Sequence, residues 1–328
     1  MTTTVVPLGI ASAVPTTDRH LSALALERKG RVLLFDCGEG TQYRLLDAGL
    51  KRARVDAIFI THLHGDHWYG LPGLLSTLAV QQRTDPVTLV LPTGGRRMLE
   101  VLVGDAPDDL PYPLRITELP TTFSGGVVYE TREFIVEAGP LDHTAFAVGF
   151  RFEERPRPGR FHPERARALG VPEGPDFARL QRGESITLEG GATVDPSQVM
   201  GPPRSGISVA YVTDTRPCDV GRALAKNVDL LYHDATFTDE LHARAIKTGH
   251  STAREAAEVA RDAEVGTLLL GHLSARYDDP TPLVTEAAAV FPRGSVAEEL
   301  HRYSLDPRDH ERDPSTDSVK GRENTGSA

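Results

Sequence analysis

Thr61-His62-Leu63-His64-Gly65-Asp66-His67 puts three histidines and an aspartate directly after the run Ala57-Ile58-Phe59-Ile60. That run is short, apolar and rich in β-branched residues, so it reads as a core strand ending at Thr61. The four polar groups then sit on the loop at the strand's carboxyl end, where open α/β sheets carry their chemistry. Imidazole and carboxylate without thiolate suit Zn²⁺ or a similar divalent ion. A His-x-His pair followed by Asp-His can divide between two adjacent metals, with Gly65 expected to permit the tight turn between them. A lone loop histidine is commonly a solvated polar residue. Four ligand types packed this closely form a pattern with a metal-binding mechanism.

The 328-residue chain has 39% hydrophobic residues, enough for a substantial core in one large domain or two. Its first twenty residues lack a basic stretch joined to an apolar one. No apolar run approaches the roughly eighteen residues of a membrane span. The expectation is a soluble, cytoplasmic protein. Cys37 and Cys218 are the only cysteines, which excludes a disulfide framework and fits a reducing compartment. A net charge of −10 argues against nucleic-acid binding by the whole surface, so any such binding must use local arginines.

Outward from the motif, Val32–Asp36 reads as a strand, followed by a helix over Thr41–Ala48 closed by Gly49. A largely apolar helix is expected over Trp68–Gln82. Further strand and helix signals alternate at Thr88–Leu91, Gly95–Val103 and Leu114–Leu119. Val127–Ala138 and Ala145–Phe152 read as antiparallel strands. From about 153 to 206 the pattern breaks. Proline, glycine and arginine crowd together without a core period, so this is an insertion, and composition alone describes a solvated excursion. The α/β rhythm then resumes, with strands at Ile207–Thr213, Asp229–His233 and Thr267–Leu270. Helices follow near Asp239–Lys247, Thr252–Ala263 and Pro282–Val290. The domain spans 1–305, and 306–328 reads as a disordered polar tail.

A dinuclear site needs more ligands than one loop holds. His143 lies just before a strand, and Asp214 and His272 each follow one. Each is an ordinary loop residue when taken alone, but their shared position at strand ends favours convergence on one centre.

With these residues in view, the chain resembles the metallo-β-lactamase fold superfamily and, within it, the short-form ribonuclease Z (tRNase Z) family. The likeness runs from about Val5 to Tyr303. It is carried by the His-x-His-x-Asp-His motif, Phe35-Asp-Cys-Gly-Glu-Gly-Thr-Gln42, Gly70-Leu-Pro-Gly-Leu74, Thr213-Asp-Thr-Arg-Pro217 and His250-Ser251-Thr252. His233-Asp-Ala-Thr236 resembles the family's His-Glu-Ala-Thr signature. The resemblance implies an α/β fold, an αββα sandwich of two mixed sheets with outer helices and a protruding arm. It also implies two Zn²⁺ per subunit. The first would take His62, His64 and His143, the second Asp66, His67 and His272, with Asp214 bridging.

It further implies a homodimer that removes the 3′ trailer from precursor tRNA, leaving a 3′-hydroxyl on the tRNA and a 5′-phosphate on the trailer. The insertion becomes an arm that grips the tRNA elbow, with Arg157, Arg160 and Arg179 as its RNA contacts. Lys51-Arg52-Ala-Arg54 offers a second basic stretch beside the active-site strand. Asp66 would accept the water's proton and orient the water. His250 is the candidate for protonating the departing oxygen, positioned by Asp234 or His233. Equally, His250 could simply precede a helix capped by Ser251 or Thr252. Three stretches depart from the family: Pro15-Thr-Thr-Asp-Arg19-His20 lacks its Arg-Asn ending, Ala178-Arg179 replaces Gly-Lys, and Asp234 replaces Glu. Two other readings stand beside this one: a hydrolase of small phosphodiesters or esters on the same fold, and an RNA-binding module without chemistry.

Overall fold

The computed structural model describes residues 2–103 and 110–306, so all but the first residue of the sequence-defined tail lies outside it. Two seven-stranded mixed sheets organise the body. The first runs in the order Tyr303–Leu305, Thr3–Gly9, Ala23–Arg28, Arg31–Phe35, Val55–Phe59, Val87–Pro92 and Leu114–Leu119. The second runs Gly294–Val296, Thr267–Gly271, Leu230–Asp234, Ser208–Val212, Ala147–Glu154, Phe134–Leu141 and Gly126–Glu130. In each sheet one half pairs parallel and the other antiparallel.

The period of two along the strands explains the layering. Leu33, Phe35, Ala57 and Phe59 face one core, while Leu34, Ile58 and Ile60 face another. The first core lies between the sheets, where Phe35 and Phe59 meet Phe150 with ring centroids 5.9 and 5.5 Å apart. The second lies under the helix Leu71–Val80, which buries Leu71, Leu74, Leu75 and Leu78. Beyond the other sheet, Ala253–Asp262 turns Ala256, Ala257, Val259 and Ala260 inward. The result is the αββα sandwich. No helix among the described residues is long and apolar enough to cross a membrane.

The expected helix over Trp68–Gln82 is two pieces, Gly65–Trp68 and Leu71–Val80. Gly70 diverts its N–H to the Cys37 carbonyl (2.9 Å), and Pro72, without an N–H, starts the second piece. Val127–Ala138 is not one strand but a hairpin, Gly126–Glu130 with Phe134–Leu141. Thr131 turns it by taking the Glu133 and Phe134 N–H groups on its hydroxyl.

The inserted segment forms a second compact unit, Pro156–Gly206, beginning after the preceding strand ends at Glu154. Within it, Arg157 and Arg204 exchange both backbone hydrogen bonds at 2.9 Å. Helices Pro163–Ala168 and Pro175–Gln181 and the pair Ile186–Thr187/Thr193–Val194 enclose Ala166, Val171, Leu180, Ile186, Val194 and Val199. Elements this short leave too few turns for a periodic signal, which is why composition described only a solvated excursion.

Candidate active site

Strand ends converge on one centre. Val55–Phe59 leads to His62, Arg31–Phe35 to Asp36, Ser208–Val212 to Asp214, and Thr267–Gly271 to His272. Ligand atoms of His62, His64, His143 and Asp214 lie within 4.8 Å of one another, and so do those of Asp66, His67 and His272. Asp214 joins the groups. Its Oδ2 is 3.6 Å from His62 Nε2 and 3.9 Å from His143 Nε2, while its Oδ1 is 3.2 Å from Nε2 of both His67 and His272. Asp36, Asp214 and His272 each take a positive φ of 50–58°, which turns these residues off their strands. Gly65 does not, so the motif's own turn is not left-handed: His64 enters a helical turn in which Asp66 and His67 project together.

Outer partners set the ring tautomers. His67 Nδ1 lies 2.7 Å from Asp36 Oδ2, His143 Nδ1 lies 2.8 Å from the Gly249 carbonyl, and His272 Nδ1 lies 3.0 Å from Thr236 Oγ1. Thr61 gives its hydroxyl proton to Asp36, so it accepts from His62 Nδ1 at 3.0 Å. Thr236 likewise donates to Asp234 (2.7 Å) and accepts from His272. A proton on each Nδ1 leaves each Nε2 lone pair facing the centre. His64 instead turns Nδ1 inward, 3.5 Å from His143 Nε2.

These residues fit metal ions. His62 Nε2 is buried without a hydrogen-bond partner, a costly state unless something binds there. Burial holds His62 well below the ordinary histidine range, as it does His143 to a lesser degree, keeping both lone pairs available. At His67 burial opposes the cation, but Asp214 and Asp36 outweigh it and hold the pKa well above the usual value. Asp66 is buried yet held far below the usual carboxylate range by the neighbouring His272 and His67, whose Nε2 atoms lie 3.5 Å from its Oδ2. The carboxylates thus call for positive charge where a metal would supply it.

Beside the centre, His250 Nδ1 lies 2.9 Å from Asp234 Oδ2. Burial works against an imidazolium there, but the buried carboxylate prevails and raises the pKa to about 9. The shorter Asp234 is fully engaged, accepting also from Thr215 N, Thr236 N and Thr236 Oγ1 at 3.1, 2.9 and 2.7 Å. His233 does not take part; its Nδ1 turns to the Asp234 carbonyl (2.8 Å). Thr252, not Ser251, caps the helix Ala253–Asp262, and Glu255 completes the capping box. Ser251 Oγ instead donates to the Thr215 carbonyl (2.6 Å).

Residues not assigned roles from sequence also shape the site. Asp36 takes four donors, from Thr61 N, Thr61 Oγ1, His67 and Tyr211. Arg216 donates to the His250 carbonyl (2.6 Å) and pairs with Glu255, tying the His250 loop to the Asp214 loop. An acidic residue at the end of a buried strand was the available signal for Asp36. Arg216 lies in the family-like stretch Thr213–Pro217, but nothing in that stretch pointed to its pairing with Glu255.

A metallo-β-lactamase superfamily model matches residues 16–156. A ribonuclease Z of Salinibacter ruber is 66% identical over 94% of this chain and 97% of its own. The chain belongs to the ribonuclease Z family. The Myxococcus xanthus ribonuclease Z is 45% identical, over 85% of this chain and 90% of its own. Human tRNase Z, short form, superposes with a TM-score of 0.67 at 26% identity, covering 92% of this chain and 99% of that one.

Arg52–Arg54 precedes Val55–Phe59, so it lies at the amino end of that strand. The metal motif lies at the other end, about 17 Å away for a five-residue strand. In the arm, seven arginines meet six carboxylates. Arg179 is exposed but pairs with Asp176 (3.2 Å) and Glu184 (3.3 Å). Arg157 is half-buried, whereas Arg160 and its neighbour Arg165 are exposed.

Proposed function

We propose that this chain is a zinc-dependent endoribonuclease of the cytoplasm that removes the 3′ trailer from precursor tRNA, leaving a 3′-hydroxyl and a 5′-phosphate. The observation that carries the reading is Asp214, which offers one oxygen to each of two histidine groups in a chain 66% identical to a ribonuclease Z. His62, His64 and His143 would hold one Zn²⁺ and Asp66, His67 and His272 the other, with Asp214 between them. When bound, such a pair activates water and neutralises the charge that builds on the phosphate.

The protein's own groups do the rest. Ala13 N–H donates to Asp66 Oδ2 (2.8 Å), leaving Oδ1 to accept a hydrogen bond from the attacking water. Asp66 orients that water and takes its proton as the oxygen attacks. The water oxygen bonds to phosphorus as the bond to the 3′-oxygen breaks. His250, with Nδ1 bound to Asp234, presents its Nε2 proton to that departing oxygen. The arm holds the body of the tRNA, and the chain works as a homodimer.

Cleavage of a 3′-extended precursor tRNA by the zinc-loaded protein, beside Asp66→Ala, tests the reading. One metal-dependent cut next to the discriminator nucleotide, absent from the variant, supports it. Failure to cut, with hydrolysis of a small phosphodiester retained, overturns it.

A further inference from the structure

A cavity of about 430 Å³ opens beside His250, bounded by Val14, Phe237, Arg244, Thr248 and Arg276. Besides Thr236, Phe237 and His250, its walls come from three segments. One is the loop whose Ala13 N–H holds Asp66. Another is the helix His242–Thr248, which carries Arg244. The third is the turn after His272, which carries Arg276. Arg19 fixes that turn by donating to the carbonyls of Ser274 and Tyr277.

The rim carries two arginine charges beside the centre. Nearby arginines are paired, Arg216 with Glu255 and Arg254 with Asp239. Arg244 and Arg276 are exposed and have no carboxylate within ion-pair distance among the described residues. Arg244 lies over the Phe237 ring, 5.9 Å from its centroid, and Arg276 reaches only Ser274 Oγ, at 3.2 Å. Two uncompensated guanidiniums in a protein of net charge −10 mark a place for an anion. Val14, 53% exposed, supplies an apolar surface in the same cavity.

We propose that this cavity seats the nucleotide whose 3′-oxygen departs, with Arg244 and Arg276 on its 5′-phosphate and its base against Val14. The assignment rests on the endoribonuclease reading and adds the substrate's position to it. His250 fixes which side of the cut is bound. Its Nε2 gives a proton to the departing oxygen, so the ribose bearing that oxygen lies within hydrogen-bond reach of the wall that His250 forms. A charged clamp with an apolar seat holds a single strand and tolerates any base.

The test pairs substrate and protein changes. Precursor tRNA is made with a neutral methylphosphonate at the linkage 5′ of that nucleotide, and kcat/KM is measured for wild type and for Arg244→Ala/Arg276→Ala. Wild type should lose roughly tenfold on the neutral linkage, and the double variant should lose at least that on native RNA but less than about twofold more on the neutral one. Arg→Lys at both positions should recover part of the loss, and unchanged melting excludes misfolding. The proposal falls if the double variant cuts native precursor at the wild-type rate, or is as sensitive to the neutral linkage as wild type. It also falls if the coupling appears only with the neutral linkage on the trailer side. A wild-type protein that cuts no precursor at all overturns the endoribonuclease reading, and the assignment with it.

Discussion

Asp36 Oδ2 lies 2.7 Å from His67 Nδ1, and both side chains are fully buried. The same carboxylate takes Tyr211 Oη at 3.0 Å and the Thr61 N–H at 2.8 Å, so its position is set from both sheets. It therefore fixes which nitrogen of His67 carries the proton and how the ring is aimed. Asp36→Ala should weaken metal binding by roughly 10–100-fold, with the loss at the site holding His67. Competition with a chelator of known affinity measures it. An unchanged affinity would mean that His67 is aimed by packing alone.

His250 and Asp234 give a pH signature. A histidine that must be protonated to act as an acid loses function as pH rises through its pKa. Asp234 is what raises that pKa, to about 9, against the effect of burial. Metal ions held by Asp214, whose Oδ2 is 4.0 Å from His250 Nδ1, would pull the working value down. Asp234→Asn removes the stabilising charge, so the alkaline limb of kcat/KM should move to lower pH. A limb that stays in place under Asp234→Asn while the rate falls would assign it to another group.

Much of this centre was legible because its ligands follow strands. Once Ala57–Ile60 reads as buried, the motif's position is settled, and Asp214 and His272 follow by the same rule. The αββα layering came from the family resemblance; the unbroken apolar run Val32–Phe35 marks a strand buried on both faces, and the structure turns Leu33 and Phe35 to one core and Leu34 to the other. The partners that orient the ligands were not legible. Thr236 and Thr61 are ordinary polar residues in sequence and gain their roles only from a hydroxyl that donates to one carboxylate and accepts from one imidazole. The break at Gly70 was missed for a similar reason: its N–H goes to Cys37, far away along the chain. Charge along the chain does not show pairing: Arg179 counts as basic, while Asp176 and Glu184 lie within 3.3 Å of it.

Stability should depend on Glu154, which is buried at the end of its strand. It accepts from Thr3 Oγ1 (2.6 Å) and Arg28 Nε (2.8 Å). Arg28→Met keeps the aliphatic packing but takes away the cation facing a buried carboxylate. A cost of about 3 kcal/mol is expected. It should appear as a lower urea midpoint at neutral pH with an unchanged slope. A midpoint within error of wild type would show that Thr3 and the remaining surroundings of Glu154 suffice.

The grip proposed for the arm on RNA should follow local pairing, not arginine count. Arg179 shares its charge with Asp176 and Glu184, and Arg182 also pairs with Glu184, at 2.9 Å. Freeing either for a phosphate means breaking an exposed ion pair, which is a small but real competition. Arg160 and Arg165 are exposed and have no ion pair among the described residues, so they can meet a phosphate without that competition. Arg160→Ala/Arg165→Ala should weaken precursor tRNA binding more than Arg179→Ala. It should also lower the slope of log Kd against log salt by about 0.7–0.9 for each phosphate no longer neutralised. Binding isotherms on an Asp66→Ala background, at several salt concentrations, separate the two variants without cleavage. If Arg179→Ala proved the more damaging, the pairs at Arg179 would have to open when tRNA binds, and the arm's grip would be gated by its own acids.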